Sequence, residues 1–396
     1  KMYARLSRVA KSCFLLALAP PQRVSCDTRS EQDRTSHFKA WLEKNGGRFA
    51  DGLRVKFIPG RGYGVVNVVG AVKQGTSLVE VPWKLILTHR NACDQTAMRV
   101  SNSMDTSRVV RLWLLQQSED AQSLWQPWLS RLPDVSAGAG SLPLGIVQEG
   151  GNALKGTPLQ TRAEMLLQAL RSEWQELQED PETQFGWQQF LWSQAIVSTR
   201  SGRLPMEASE PVECLIPILD LLNHDLHPNA CIVGSQRGAE LVATEVISEG
   251  EEVLISYGEH SAEQFLFAFG FVPHGAIAEM PVPLALTEAS AQKRSDLFGP
   301  GMPVMLRNGL DVDVGNILDV MAEEPLFRER SRRDLLEYLM SFFLAWHREL
   351  TKSSIISMLL PQHVEAEKVR GMYAVRVAEA VRTVREELDG KSRNEP

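Results

Sequence analysis

The stretch DLLNHDLHPNACI, residues 220–232, decides how this chain is read. An apolar run, CLIPILDLL at 214–222, delivers the pair Asn223-His224, and the triplet His227-Pro228-Asn229 follows. So many hydrogen-bonding side chains at the end of a buried segment admit three readings: a metal site, a cofactor cradle, or a strand end capped by its own side chains. The metal reading would use Cys214, His224, His227 and Cys231 in the spacing C-x9-H-x2-H-x3-C. Zinc sites pair their ligands at short spacing at both ends, and here the apolar run separates the first cysteine from the rest. No metal is therefore expected, and the two cysteines read as small buried hydrophobes. His227-Pro228-Asn229 reads as a turn.

Working outward, the run at 214–222 reads as a strand, and further strands are expected at CIVGS (231–235), AELVATE (239–245) and EEVLISYG (251–258). On the N-terminal side, period-two patterns at LRVKFIP (53–59), GYGVVNVV (62–69) and TSLVEVP (76–82) predict strands divided by Gly and Pro. They follow a short helix predicted over 36–46, with Ser36 as its N-cap and Phe38, Trp41 and Leu42 on one face. Between the two strand regions, residues 94–195 carry helical spacing, as in Val109, Leu112, Trp113 and Leu115. A helix is expected at 261–272, and beyond Pro281 the chain reads as helical to its end. Strands, helical insert, strands and helical tail do not alternate as a doubly wound sheet does. The expected class is α+β: a β-rich fold interrupted by a helical excursion and followed by an all-α domain.

The turn GRGYG at 60–64 does not complete G-x-G-x-x-G, and a β-branched strand rather than a helix follows it, which argues against a dinucleotide fold. Glycines there instead let backbone approach a ligand or simply make a tight turn. Tyr257 stands at a strand end beside Gly258, where an aromatic is ordinarily half-buried.

With 396 residues, the chain has room for two or three domains. Its net charge of −7 is unevenly placed, because the first 30 residues hold six basic side chains and one acidic. An acidic body argues against nucleic acid as the main partner and suits a cationic one such as a lysine-bearing protein segment. The basic leader, within residues 1–35, fits a transit peptide or short secretory signal, which would place the protein in a plastid or mitochondrion and otherwise leave cytoplasm or nucleus. Its apolar part, CFLLALA, is too short to span a bilayer, and no membrane partner is expected. Five scattered cysteines suit a reducing compartment.

The order of these motifs, a G-x-G turn, a long helical insert, Asn-His after a buried run, Tyr-Gly at a strand end and AFGFV, resembles the SET-domain protein methyltransferases. The closer resemblance is to the branch typified by the Rubisco large-subunit methyltransferase. LWQPWLSRLP (124–133), PLGIVQEGGNALKGTPL (143–159), AIVSTRSGRLP (195–205) and AVRVAEAVRTVREEL (374–388) look like further segments of that branch. The resemblance implies a β-rich SET domain with a pseudoknot over residues 36–275 and a helical substrate-binding-like domain over 276–396. It implies S-adenosyl-L-methionine as cofactor, a protein lysine as substrate, and a monomer. Carried over position by position, Arg61, Gly62, Tyr63, Arg200, Asn223 and His224 would contact the cofactor. Asp220 and Phe269 would face the substrate, and Tyr257 would be catalytic. Phe269 stands where the family often has Tyr, and no tyrosine lies between His224 and Tyr257. Histidine as acceptor, or a binding module that methylates nothing, therefore stays open beside lysine methylation.

Overall fold

The computed structural model describes residues 28–95, 104–137, 139–179, 185–206, 210–281, 305–307, 314–324, 327–352 and 363–389. Of the leader expected at 1–35, residues 1–27, with Cys13 and Cys26, lie outside them, and residues 28–35 open the helix Thr28–Lys44. Among the described residues no helix is long and apolar enough to cross a membrane. The described residues divide into two compact units, those within 1–133 and 200–257, and those within 134–199 and 258–396.

The first unit holds three sheets. Strands β1 (Arg48–Phe49), β2 (Leu53–Ile58), β3 (Gly62–Asn67), β4 (Ser77–Pro82) and β5 (Leu87–Thr88) come before the helices. Strands β6 (Ser201–Leu204), β7 (Val212–Leu215), β8 (Asn223–His224), β9 (Ala230–Ser235), β10 (Gly238–Ala243) and β11 (Glu252–Ile255) come after them. The sheet orders are β1-β4-β10-β9, β2-β3-β11-β8 and β5-β7-β6. Period-two burial supports the pairing: Val79 and Val81 of β4 are buried opposite Leu241 and Ala239 of β10 in an antiparallel register.

Two expectations are corrected. The first helix runs Thr28–Lys44, so Ser36 lies inside it and is not its N-cap. Its early residues are polar, and periodicity could not reveal a helix there. The apolar run 214–222 is also not one strand. β7 stops at Leu215, Ile218 turns back with φ +80, and a 3₁₀ turn over Leu219–Leu221 leads into β8. Pro217 has no N–H to continue a ladder.

Four tryptophans anchor the insert's first part within this unit. Trp113 meets Trp125 edge-on at 5.0 Å, and Trp125 meets Trp128 at 6.2 Å and Trp41 at 5.9 Å. The Trp41 indole N–H donates to the Leu124 carbonyl at 2.8 Å, which ties the helix Thr28–Lys44 to that cluster.

The second unit is built on helices, chiefly Pro158–Leu177, Trp187–Arg200 as far as Thr199, Ala262–Phe269, Val314–Ala322, Arg332–Thr351 and Val364–Leu388. Its core joins Leu335, Leu339, Phe343 and Trp346 to Val369, Tyr373, Val377, Val381 and Val384. These positions recur every three or four residues, so each helix buries one stripe. A short pairing the sequence did not suggest, β12 (Glu279–Pro281) with β13 (Met305–Arg307), also belongs here. Buried Arg370 donates to the carbonyls of Glu349 (3.1 Å) and Lys352, satisfying acceptors that the helix Arg332–Thr351 leaves open at its end.

Glu263, buried in the first turn of the helix Ala262–Phe269, is pushed up to about 7, chiefly by burial. The N–H of Glu279 at 3.1 Å holds it back in part. A carboxyl raised by folding from its ordinary 4.5 contributes stability that is fully present below that value and is lost as pH rises through about 7. The loss is roughly 3 kcal/mol. Glu263→Gln should therefore flatten a decline in melting temperature that the native protein shows between pH 5 and 8; parallel curves for the two proteins would refute the burial argument.

Candidate active site

Hairpin β2–β3 turns at residues 59–61, where the Arg61 N–H donates to the Ile58 carbonyl at 3.0 Å. Gly60 and Gly62 carry φ +79 and +80, values that favour glycine. On β3, a Cβ at Gly64 would lie 2.6 Å from Oε1 of Glu252 and 2.9 Å from Nδ2 of Asn223. Only glycine lets those two side chains cross the strand there.

Strand β11 pairs antiparallel with β3 and parallel with β8, opposing Leu254 to Asn223 and Ile255 to His224. A two-residue parallel strand has few ladder bonds, and side chains add to its support. Asn229 donates through Nδ2 to the Glu252 carbonyl at 2.9 Å and accepts from the Leu254 N–H at 2.8 Å. The turn read at His227-Pro228-Asn229 thus also clasps β11.

Arg61, Tyr63, Asn223 and His224 are brought together. Asn223 Nδ2 donates to Glu252 Oε1 at 2.7 Å and to the Tyr63 carbonyl at 3.3 Å. Arg61 pairs with Glu252 at 3.3 Å and donates to the His224 carbonyl at 2.7 Å. Glu252, which the sequence did not single out, is the carboxylate holding the turn to β8. Its only signal was the acidic pair at 251–252, which reads as a solvated turn.

Tyr257 lies just past the end of β11. Its backbone N–H donates to Nδ1 of His224 at 3.1 Å, so the ring proton of a neutral His224 sits on Nε2. Its hydroxyl donates to the Leu222 carbonyl at 2.7 Å, and the two rings tilt at 38° with centroids 5.2 Å apart. Burial pushes the Tyr257 phenol up to about 12; Arg200 and Arg61 pull it down, while Asp220 and Glu252 push it further.

Arg200 and Asp220 meet in the same unit. Arg200 Nη1 donates to the Asp220 carbonyl at 2.7 Å and lies 3.3 Å from Oδ2. The Asp220 side chain is wholly enclosed, and Trp128 Nε1 donates to both of its oxygens at 3.2 Å. Burial pushes Asp220 above the usual carboxylate range, and Arg200 and then Trp128 oppose that shift. Ile218, two residues earlier, is the one non-glycine residue with positive φ among those described. A β-branched residue there stores about 1–3 kcal/mol of strain.

Phe269 belongs to the second unit, in an aromatic group with His260, Phe265 and Phe271 at centroid distances of 5.8, 5.8 and 6.3 Å. Cys214 is buried in β7 and pushed up to about 12 by that burial, as a packed thiol should be. Among the described residues no three His, Cys, Asp or Glu side chains form a group that could hold a metal ion, so Cys214, His224, His227 and Cys231 are not such a set.

The family model of the SET domain matches residues 62–258. SET domain-containing protein 4 of Mus musculus is 26% identical over 262 residues, 60% of this chain and 59% of that protein. N-lysine methyltransferase setd6 of Xenopus laevis is 24% identical over 275 residues, 60% of this chain and 57% of that one. The chain thus spans less than two thirds of the length of these relatives. The crystal structure of the SET domain of LSMT bound to lysine and AdoHcy matches with a TM-score of 0.69 at 15% identity, covering 90% of this chain and 92% of that one. That likeness is one of fold.

Proposed function

Residues 62–258 of this chain are a SET domain, and from that premise we propose that the protein transfers a methyl group from S-adenosylmethionine to a lysine side chain of a protein substrate. The observation that carries the reading is the Tyr257 hydroxyl fixed on the Leu222 carbonyl, at the doorstep of Asn223-His224 and the Gly62 turn. The relative in Xenopus laevis is an N-lysine methyltransferase, and the matched SET domain of LSMT binds lysine and AdoHcy. In the same reading, residues 36–275 are the methyltransferase domain and 276–396 a helical substrate-binding-like domain.

Two features of the chain fit the cofactor. Nε of Arg200 is enclosed and has no hydrogen-bond partner among the described residues, a leftover donor that a carboxylate would satisfy. A Cβ on Gly62 would meet open space, so the turn leaves room beside its backbone. Arg61, Gly62, Tyr63, Arg200, Asn223 and His224 would hold the cofactor.

When bound, S-adenosylmethionine supplies a methyl group on a sulfonium, which passes to the amine nitrogen in one displacement. The chain must present that amine neutral, and at pH 7 only about one free lysine in 2,500 is. Desolvation beside buried aromatic surface disfavours the ammonium. Tyr257 keeps its proton at neutral pH, since its phenol sits at about 12. With that proton given to the Leu222 carbonyl, the hydroxyl oxygen would act as an acceptor toward the amine N–H and orient its lone pair. Tyr257 therefore positions the nucleophile and does not remove its proton, which leaves to water.

The test is methyl transfer from labelled S-adenosylmethionine into a cell lysate, with mass spectrometry of the modified residues. Labelled lysine is expected. Labelled histidine would change the acceptor, and cofactor binding with no transfer to any protein would make the chain a binding module. Glu252→Gln should weaken S-adenosylhomocysteine binding by roughly tenfold in calorimetry, because it removes the charge holding Arg61 and Asn223 together; an unchanged affinity would remove Glu252 from the cradle.

A further inference from the structure

We propose that Asp220 is the positioning residue for Arg200 and that Trp128 is its support, in place of a substrate-side role for Asp220. This rests on the reading above, in which Arg200 grips the cofactor's carboxylate.

Three observations carry it. First, the Asp220 side chain is fully enclosed, so it offers no face to an incoming ammonium. Second, its acceptors are already engaged. Trp128 Nε1 reaches both oxygens at 3.2 Å, and Arg200 Nη1 lies 3.3 Å from Oδ2. Third, residue 220 holds the guanidinium twice, because the same Nη1 donates to its main-chain carbonyl at 2.7 Å. Two contacts on one nitrogen fix the plane of the fork. A planar guanidinium binds a carboxylate well only when its fork is correctly aimed.

The surroundings make the arrangement rigid. Trp128 is fully buried and packed on Trp113 and Trp125, so its N–H is aimed by the indole cluster. The positive-φ turn at Ile218 sends residue 220 inward, and the Asp220 N–H closes the turn on the Ile216 carbonyl at 3.0 Å. The arrangement also accounts for a buried acid so close to a residue meant to hold an anion. By charge alone Asp220 would repel the cofactor's carboxylate, so its contribution has to be geometric. The enclosed Nε of Arg200 is the donor that this aim would serve.

A double-mutant cycle on S-adenosylhomocysteine affinity, measured by calorimetry, tests this with Asp220→Asn, Arg200→Lys and the pair. Each single change should weaken binding about tenfold. The pair should also weaken it about tenfold and not a hundredfold, since both remove one aimed fork. The KM for the protein substrate should not move. Trp128→Phe, which leaves both charges in place, should weaken binding about threefold and guards against an Asp220→Asn protein that does not fold. Additive losses, tighter binding by Asp220→Asn, or a raised substrate KM with unchanged cofactor affinity would each overturn the proposal. If the native protein itself binds no S-adenosylhomocysteine, the methyltransferase reading fails and this one falls with it.

Discussion

Tyr257→Phe should lower the rate of methyl transfer about 10²- to 10³-fold while leaving cofactor affinity near that of the native protein. The hydroxyl is the group removed, and it donates to the Leu222 carbonyl at 2.7 Å, while the backbone N–H that meets His224 Nδ1 stays in place. The ring stays, so its contact with His224 at 5.2 Å survives. The lost hydrogen bond itself costs about 1 kcal/mol of stability, too little to unfold a domain. The drop should therefore appear in kcat, with the melting temperature within a few degrees. Because burial keeps the phenol at about 12, the native pH profile should show no Tyr257 titration below about pH 10. A Tyr257→Phe variant within threefold of the native rate would remove the hydroxyl from the reaction.

Arg200→Ala should be more damaging and should show it in two ways. Binding of S-adenosylhomocysteine should fall more than a hundredfold, because the fork that meets the carboxylate is gone. Stability should fall by about 3–5 kcal/mol, because Asp220 is left enclosed without its cation. The sign of the pH dependence separates this from simple cavity formation. Burial already raises Asp220, and Arg200 is the main group opposing that shift. Without Arg200 the folded-state value climbs further above its ordinary 3.8. A carboxyl raised by folding contributes stability below its unfolded value and loses it as pH rises. The variant should therefore lie closest to the native protein near pH 4 and fall away toward pH 7. A deficit that does not change across that range would show that the pair is not its source.

Much of this architecture was legible in the residues. Period-two stretches at 53–59, 62–69 and 76–82 became β2, β3 and β4, since half-buried strands write their burial into alternation. The stripe from Leu335 to Leu350 likewise marked its helix. The apolar run at 214–222 misled, because an unbroken run carries no period and the turn at Ile218 follows from tertiary packing. Pro217 was the one local hint. Within the site, residue types could be read but their surroundings could not. Asp220 looked like an open acid until Trp128, 92 positions away, was seen to cover it. Glu252 was missed for the same reason, since its partners Arg61 and Asn223 come from two other segments.

The two-residue strand β8 has a consequence for synthesis. Asn223 meets Tyr63 across 160 positions of chain, and β3 must wait still longer for β11. At ordinary ribosomal speeds that interval lasts on the order of ten to thirty seconds. During it the hairpin β2–β3 exists with one unsatisfied edge, a surface that invites pairing with a neighbouring nascent chain. A protein of this kind should depend on chaperones holding that edge, and fragments ending before residue 252 should aggregate where the longer chain does not.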